Sequence, residues 1–232
     1  QKLANNLALS FPLKSRSKQL LVDISVLVHC DAKTGIQRVV RSILKEWLDN
    51  PPEGYRIEPV YATHESGYLY ARRFTADFMA LPPLGLVDEP IDFAPNDMFF
   101  GLDFHPSVQV AQRGFYRQLR EHNVDVRFLV YDLLPIQIPQ HFAAGVGEDY
   151  MFWLEAVYES NGIVCISKTV ADELCSWIKK CNPDRLRSCK TGWFHLGADI
   201  DNSQPSHGLP KNSAHILAQI SARPSFLMVG TL

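Results

Sequence analysis

The stretch LLVDISVLVH, residues 20–29, is followed three residues later by KTGIQRVV, residues 33–40. The first is a nearly continuous apolar run rich in Val and Ile, the pattern of a strand covered on both faces as in a parallel sheet. In the second, Ile36, Val39, Val40, Ile43, Leu44, Trp47 and Leu48 recur at helical spacing from Gly35 onward. Asn50-Pro51-Pro52 then stops the helix. The unit reads as strand, turn, helix, with a Gly, a Gln and an Arg on the helix's first turn. Such a turn is either a plain strand-to-helix connection or a ligand loop at a sheet edge, and the rest of the chain has to discriminate.

Working outward, the same alternation continues. Strands are expected over 55–62 (YRIEPVYA), 97–103 (DMFFGLD), 124–132 (VDVRFLVYD), 161–167 (NGIVCIS) and 190–199 (KTGWFHLGAD, running into a loop), with a last one over 223–232 (RPSFLMVGTL). Helices are expected over about 108–121, up to about 160, 167–180 and 214–222, and an extra hairpin over 65–74. Residues 81–97 read as a Pro-rich loop and 200–215 as a polar, Pro-rich segment. Strands alternating with helices predict an α/β fold, a Rossmann-like, mainly parallel sheet flanked by helices. Residues 1–18 read as a linker or tail, 19–222 as the Rossmann-like domain, and 223–232 as the first strand of a further domain.

Composition excludes several classes. The chain has 232 residues, is 46% hydrophobic and 21% charged, and carries a formal net charge of −2. That is ordinary for a globular protein and leaves no overall basic footprint for nucleic acid; the one basic cluster, KSRSK at 14–18, lies in the polar tail. No apolar stretch reaches the roughly 18–20 residues of a membrane span, and the N-terminus does not read as a signal peptide. Five cysteines (30, 165, 175, 181 and 189) form no CxxC pair, which predicts reduced thiols in a cytoplasmic protein and no zinc site.

Ligands of parallel α/β sheets bind outside the carboxyl ends of the strands, so candidate site residues are those just after each strand. They are Thr34, Gly35, Gln37 and Arg38 after the first; Asp103 and His105 after the strand at 97–103; Tyr131 and Asp132 after that at 124–132; Ser167 and Lys168 after that at 161–167; His195 and Asp199 after that at 190–199. Gly35 would allow a close backbone approach to an anion or sugar hydroxyl, and Arg38 a forked contact to phosphate or sugar. Each has an ordinary structural alternative: a turn for Gly35, a surface cation for Arg38, caps for Asp103, Asp132 and Ser167, a solvated side chain for Lys168. Asp23 interrupts an apolar strand and has to be paired or hydrogen-bonded. TGIQRV lacks GxGxxG, which argues against a dinucleotide site, and there is no P-loop, HExxH, calcium loop or Ser/His/Asp order.

Taken in order, TGIQRVVRSIL (34–44), RFLVYDLLPIQIPQHF (127–142), GIVCISKTVADEL (162–174), WFHLGAD (193–199) and FLMVGTL (226–232) resemble segments of the retaining glycosyltransferases of family 4, which have the GT-B fold. The resemblance covers about residues 20–232. It implies two Rossmann-like domains with the active site in the cleft between them, this chain being the acceptor-side half and 223–232 the first strand of the donor domain. By that resemblance the Thr34–Arg38 turn faces acceptor and donor phosphates, with Gln37, His105, Ser167 and Lys168 as further substrate contacts. Many members carry a His where this chain has Tyr131, so Tyr131, Asp103 and Asp132 become the candidate catalytic positions, Asp103 or Asp132 orienting the acceptor hydroxyl. The implied chemistry is front-face transfer of a hexose from a nucleotide sugar, with no cofactor and no metal. The Asp-Leu-Leu-Pro style points to a GDP-mannose-type donor (GDP- or UDP-linked), a glycan or lipid-linked glycan acceptor, bacterial surface polysaccharide (O-antigen) synthesis, and a cytoplasmic protein in peripheral contact with the inner face of the membrane. The other reading is a non-catalytic glycan-binding or scaffold domain of a larger polymerase.

Overall fold

The computed structural model describes residues 17–30, 34–82, 85–181, 189–197 and 211–226. Two compact units divide the chain, residues 1–198 and 199–232. The first holds seven strands: β1 (Lys18–Asp23), β2 (Tyr55–Tyr61), β3 (Leu69–Tyr70), β4 (Met98–Gly101), β5 (Asp125–Val130), β6 (Gly162–Cys165) and β7 (Lys190–Trp193). They form one sheet in the order β3-β2-β1-β4-β5-β6-β7, parallel except where β3 runs back along β2. This is the expected α/β architecture, and β1 is where the strand order changes direction.

The opening stretch departs from expectation. The apolar run at 20–29 is not one strand: β1 ends at Asp23, and Ser25–His29 form a short helix, α1. The cause is two carboxylates that capture the backbone N–H groups at the start of α1. Asp23 accepts from Ser25 N at 3.0 Å, and Asp103 from Leu27 N at 2.8 Å. Amides at a helix start lack partners within the helix, so these acceptors favour the turn over further extension. Ile24 and Leu27 are buried all the same, which is why the apolar pattern runs on unbroken.

Helix α2 (Gly35–Asp49) begins in a capping box: Thr34 Oγ1 accepts from Gln37 N at 3.3 Å and Gln37 Oε1 from Thr34 N at 3.3 Å. The segment expected as a hairpin supplies β3 and then a helix, α3 (Arg72–Phe78). The single helix expected near 108–121 is two, α4 (Pro106–Ala111) and α5 (Arg113–Glu121), jointed at Gln112. Beyond β5 come α6 (Leu134–Gln137), a 3-10 turn at Pro139–His141, α7 (Val146–Tyr158) and, after β6, α8 (Lys168–Cys181).

Alternation along the strands feeds two cores. Leu21, Phe99, Phe128 and Ile163 pack on one sheet face beneath α4, α5, α7 and α8, with Trp153 and Leu119 fully enclosed. Leu20, Val22, Phe100 and Leu129 pack on the other beneath α1 and α2. All five cysteines are free thiols. In the second unit the described residues form one helix, α9 (Ser213–Ser221), the element expected over 214–222. Of the final strand expected over 223–232, residues 223–226 have no strand pairing and the remainder lies outside the described residues, as do residues 1–16 of the expected tail. No helix among the described residues is long and apolar enough to cross a membrane.

Candidate functional site

Because β1, β4, β5, β6 and β7 are parallel, their carboxyl ends share one edge of the sheet, and the turns that follow them lie along it. The centre of that edge, beside β1 and β4, carries a buried polar network. The Asp23 carboxylate is fully buried and accepts from Ser25 N and Oγ, Tyr68 Oη (2.9 Å) and Gln109 Nε2 (3.2 Å). Gln109 also donates to Asp103 O at 2.9 Å and accepts from Trp153 Nε1 at 2.6 Å, while Tyr68 shares a 2.8 Å bond with Tyr116. Burial raises the Asp23 pKa above its ordinary value, against the pull of its donors. Both tyrosine hydroxyls are pushed well up by burial and by the Asp23 charge, so they remain neutral donors.

The structure turns three of the expected contact residues inward. Asp103 is 2% exposed. Its oxygens accept from Leu27 N and Phe104 N, at 2.8 and 2.9 Å. Burial drives its pKa up to about 6, the Leu27 amide opposing and the Asp23 charge assisting. Tyr131 is buried and donates to Leu102 O at 2.9 Å. Gln37 is 2% exposed; it closes the capping box and also donates to Cys30 O. In each case backbone groups, which must find partners once buried, claim the side chain's polar atoms. These residues hold the rim in shape.

The remaining expected residues sit on the rim itself. Thr34, Gly35 and Arg38 are exposed on the first turn of α2. A Cβ added at Gly35 would meet no atom within 4 Å, so nothing in the fold demands a glycine there. Asp132 is half-buried, and one of its oxygens accepts from Leu134 N at 3.0 Å. Its carbonyl takes the Tyr150 hydroxyl. Ser167 Oγ accepts from Val170 N at 3.2 Å and starts α8; Lys168 is exposed and pairs with Asp172 at 2.6 Å. His195 stands edge-on to Trp193, ring centres 5.1 Å apart, while Asp199 lies outside the described residues.

His105 is half-buried beside the network, and two further histidines join it on the rim. The His64 ring lies 6.1 Å from the His105 ring, edge to face. His29, at the end of α1, lies edge-on to Tyr61 at 5.5 Å. Burial lowers the His105 pKa, with His64 and His29 adding to the effect and Asp23 opposing it. Sequence reasoning singled out neither His29 nor His64. The signal that selected His105, a polar residue a few positions past a strand, applies equally to both. Among the described residues no three His, Cys, Asp or Glu side chains are grouped to hold a metal ion.

No family model and no solved structure matches this chain. Three curated proteins do, each a serotype-specific mannosyltransferase, WbdA, of Escherichia coli. Two are 37% identical over 224 residues, 94% of this chain and 27% or 26% of the relative. A third is 37% identical over 226 residues, again 94% of this chain and 27% of the relative. The chain thus resembles mannosyltransferases along nearly its whole length, and it spans about a quarter of the length of the relatives it matches.

Proposed function

We propose that this chain is the acceptor-side Rossmann-like domain of a retaining mannosyltransferase of GT-B architecture, part of a longer protein that builds bacterial surface polysaccharide from GDP-mannose. The observation that carries the reading is the 37% identity to mannosyltransferases over 94% of the chain. It is supported by the gathering of polar groups at the carboxyl edge of a parallel sheet, where such folds bind ligands. The donor-gripping domain belongs to the longer protein.

In this reading the exposed turn at Thr34, Gly35 and Arg38 faces the diphosphate of the nucleotide sugar. Free amides at the start of α2 and the Arg38 guanidinium supply the positive field, and Gly35 leaves room for phosphate oxygens. Asp132, Ser167, Lys168 and His105 line the acceptor side. Asp103 and Tyr131 act as positioning residues behind them. As the sugar–phosphate bond lengthens, the departing diphosphate draws the proton from the acceptor hydroxyl on the same face. Rate enhancement then comes from orientation and from stabilising charge on the leaving group, with no strong protein base. Exposed Leu134, Ile138, Phe142 and Phe152, all between β5 and β6, favour a lipid-linked acceptor or a peripheral contact with the cytoplasmic membrane face.

The test uses the full-length protein with GDP-mannose and, separately, UDP-hexoses, a mannoside acceptor, and NMR of the product's anomeric centre. The expected result is mannosyl transfer from GDP-mannose with retained configuration. Absence of transfer from every nucleotide sugar, or an inverted product, overturns the proposal.

A further inference from the structure

We infer that His64 and His105, with His29 beside them, form a saccharide-binding platform that holds the non-reducing sugar of the acceptor. The inference rests on the transferase reading above and assigns the acceptor's seat within it.

The three histidines come from positions 29, 64 and 105, after β1 and α1, after β2 and after β4; the His64 and His105 rings lie 6.1 Å apart, and His29 is near enough to act electrostatically on His105. Two of them are held by the fold before any ligand arrives. His64 sits in a tight turn in which Thr63 Oγ1 accepts from Ser66 N at 3.0 Å. Gln112 Nε2, from the joint between α4 and α5, clamps that turn by donating to Thr63 O and Ser66 O, each at 3.1 Å. His105 is followed by Pro106 at the start of α4; its carbonyl accepts from Gln109 N at 2.9 Å, and Gln109 is itself locked to Asp23, Asp103 and Trp153. Backbone fixed in this way adds little ordering cost on binding.

The chemistry of the surroundings selects the ligand. The Asp23 carboxyl acts electrostatically on His105, and its field disfavours phosphate and carboxylate there. A neutral imidazole presents one donor and one acceptor; His105 Nδ1 faces Ser107 Oγ at 3.4 Å, which leaves Nε2 for a sugar hydroxyl, itself donor and acceptor. Burial keeps His105 below its ordinary pKa and therefore neutral at pH 7. The anionic diphosphate is left to the turn carrying Arg38, so the two halves of the edge divide donor charge from acceptor polyol.

The test uses the full-length protein and His64→Ala, His105→Ala, the double variant, and His64→Gln and His105→Gln, which keep a donor and an acceptor. Acceptor KM and donor KM are measured separately, and a mannotriose is titrated calorimetrically without donor. Each Ala variant should raise acceptor KM and mannotriose Kd about tenfold, the loss of one or two hydrogen bonds. Donor KM should stay within twofold and the Gln variants should recover most of the loss. The proposal is overturned if the double variant, with an unchanged unfolding midpoint, keeps acceptor KM and mannotriose Kd within twofold of the parent. His64 is exposed, so its single variant decides the matter should the double variant fail to fold. If no nucleotide sugar is turned over, the transferase reading falls and the mannotriose titration alone decides. Weaker binding by the Ala variants sustains the platform, and no binding by the parent overturns it.

Discussion

Replacing Asp103 by Asn should make the protein's stability far less sensitive to pH near neutrality, and the size of the effect follows from the site. Asp103 is almost fully enclosed, and its pKa is raised from the ordinary 3.8 to about 6, first by burial and further by the Asp23 charge. An acid whose folded pKa lies above its unfolded one stabilises the fold fully below the unfolded value. That contribution is lost as pH rises through the folded value, here from about 4 to above 6. An interval of roughly two pH units, at about 1.4 kcal/mol per unit, is worth about 3 kcal/mol. Asn does not titrate. It keeps one oxygen for either Leu27 N or Phe104 N and gives up the other bond, a pH-independent cost of about 1–3 kcal/mol. Urea unfolding of parent and variant from pH 4 to pH 8, followed by tryptophan fluorescence, reads the difference, and other titrating groups largely cancel. The variant should be the less stable at pH 4 and gain about 3 kcal/mol on the parent by pH 8. That is about 1 M in urea midpoint at the denaturant sensitivity of a chain this size. A gap constant within about 0.5 kcal/mol across the range would refute the reasoning, since it would mean that Asp103 carries no burial-driven shift.

Three further outcomes follow from other parts of the molecule. Gly35→Ala should fold with stability within about 0.5 kcal/mol of the parent, because its Cβ meets no protein atom and Ala favours a helix. Nucleotide-sugar turnover by the full-length protein should nevertheless fall at least about tenfold, by crowding the phosphates; undiminished turnover would remove the donor from that turn. Gly101→Ala places a Cβ 2.2 Å from Phe128 Cδ1, in a core where Phe128 is 1% exposed. A loss of about 1–3 kcal/mol in thermal or urea unfolding is expected. Glu159 is buried enough to be raised on that account, but the guanidiniums of Arg117 and Arg113 outweigh burial and hold its pKa down to about 2. Glu159→Gln should therefore cost about 1 kcal/mol at pH 7, a figure discounted for solvent screening. The cost should disappear as pH falls from about 4.5 toward 2, and shrink in 1 M salt; a cost independent of both would point to packing instead.

Much of the fold was legible because burial leaves a local imprint on sequence. Leu20, Leu21 and Val22, or Phe99 and Phe100, are apolar on both strand faces because helices cover both sides of the sheet, and the helical spacing from Ile36 to Leu48 marks the face of α2 that meets it. Parallel strands with intervening helices then oblige the polar turns to share an edge, so the region of the candidate site could be read from the chain alone, as could the likeness to mannosyltransferases. The roles of individual side chains could not. An apolar run is equally buried as a strand or as a short enclosed helix, so the end of β1 at Asp23 was decided by a carboxylate 76 residues from the amide it captures. The same kind of distant pairing, such as Gln109 with Asp23 across 86 residues, turned Asp103 inward and steadied His105. It was the chain's return past β2 that brought His64 to its side. Sequence records what each residue must be sheltered from; which donor meets which acceptor depends on where the backbone returns, and only the tertiary structure supplies that.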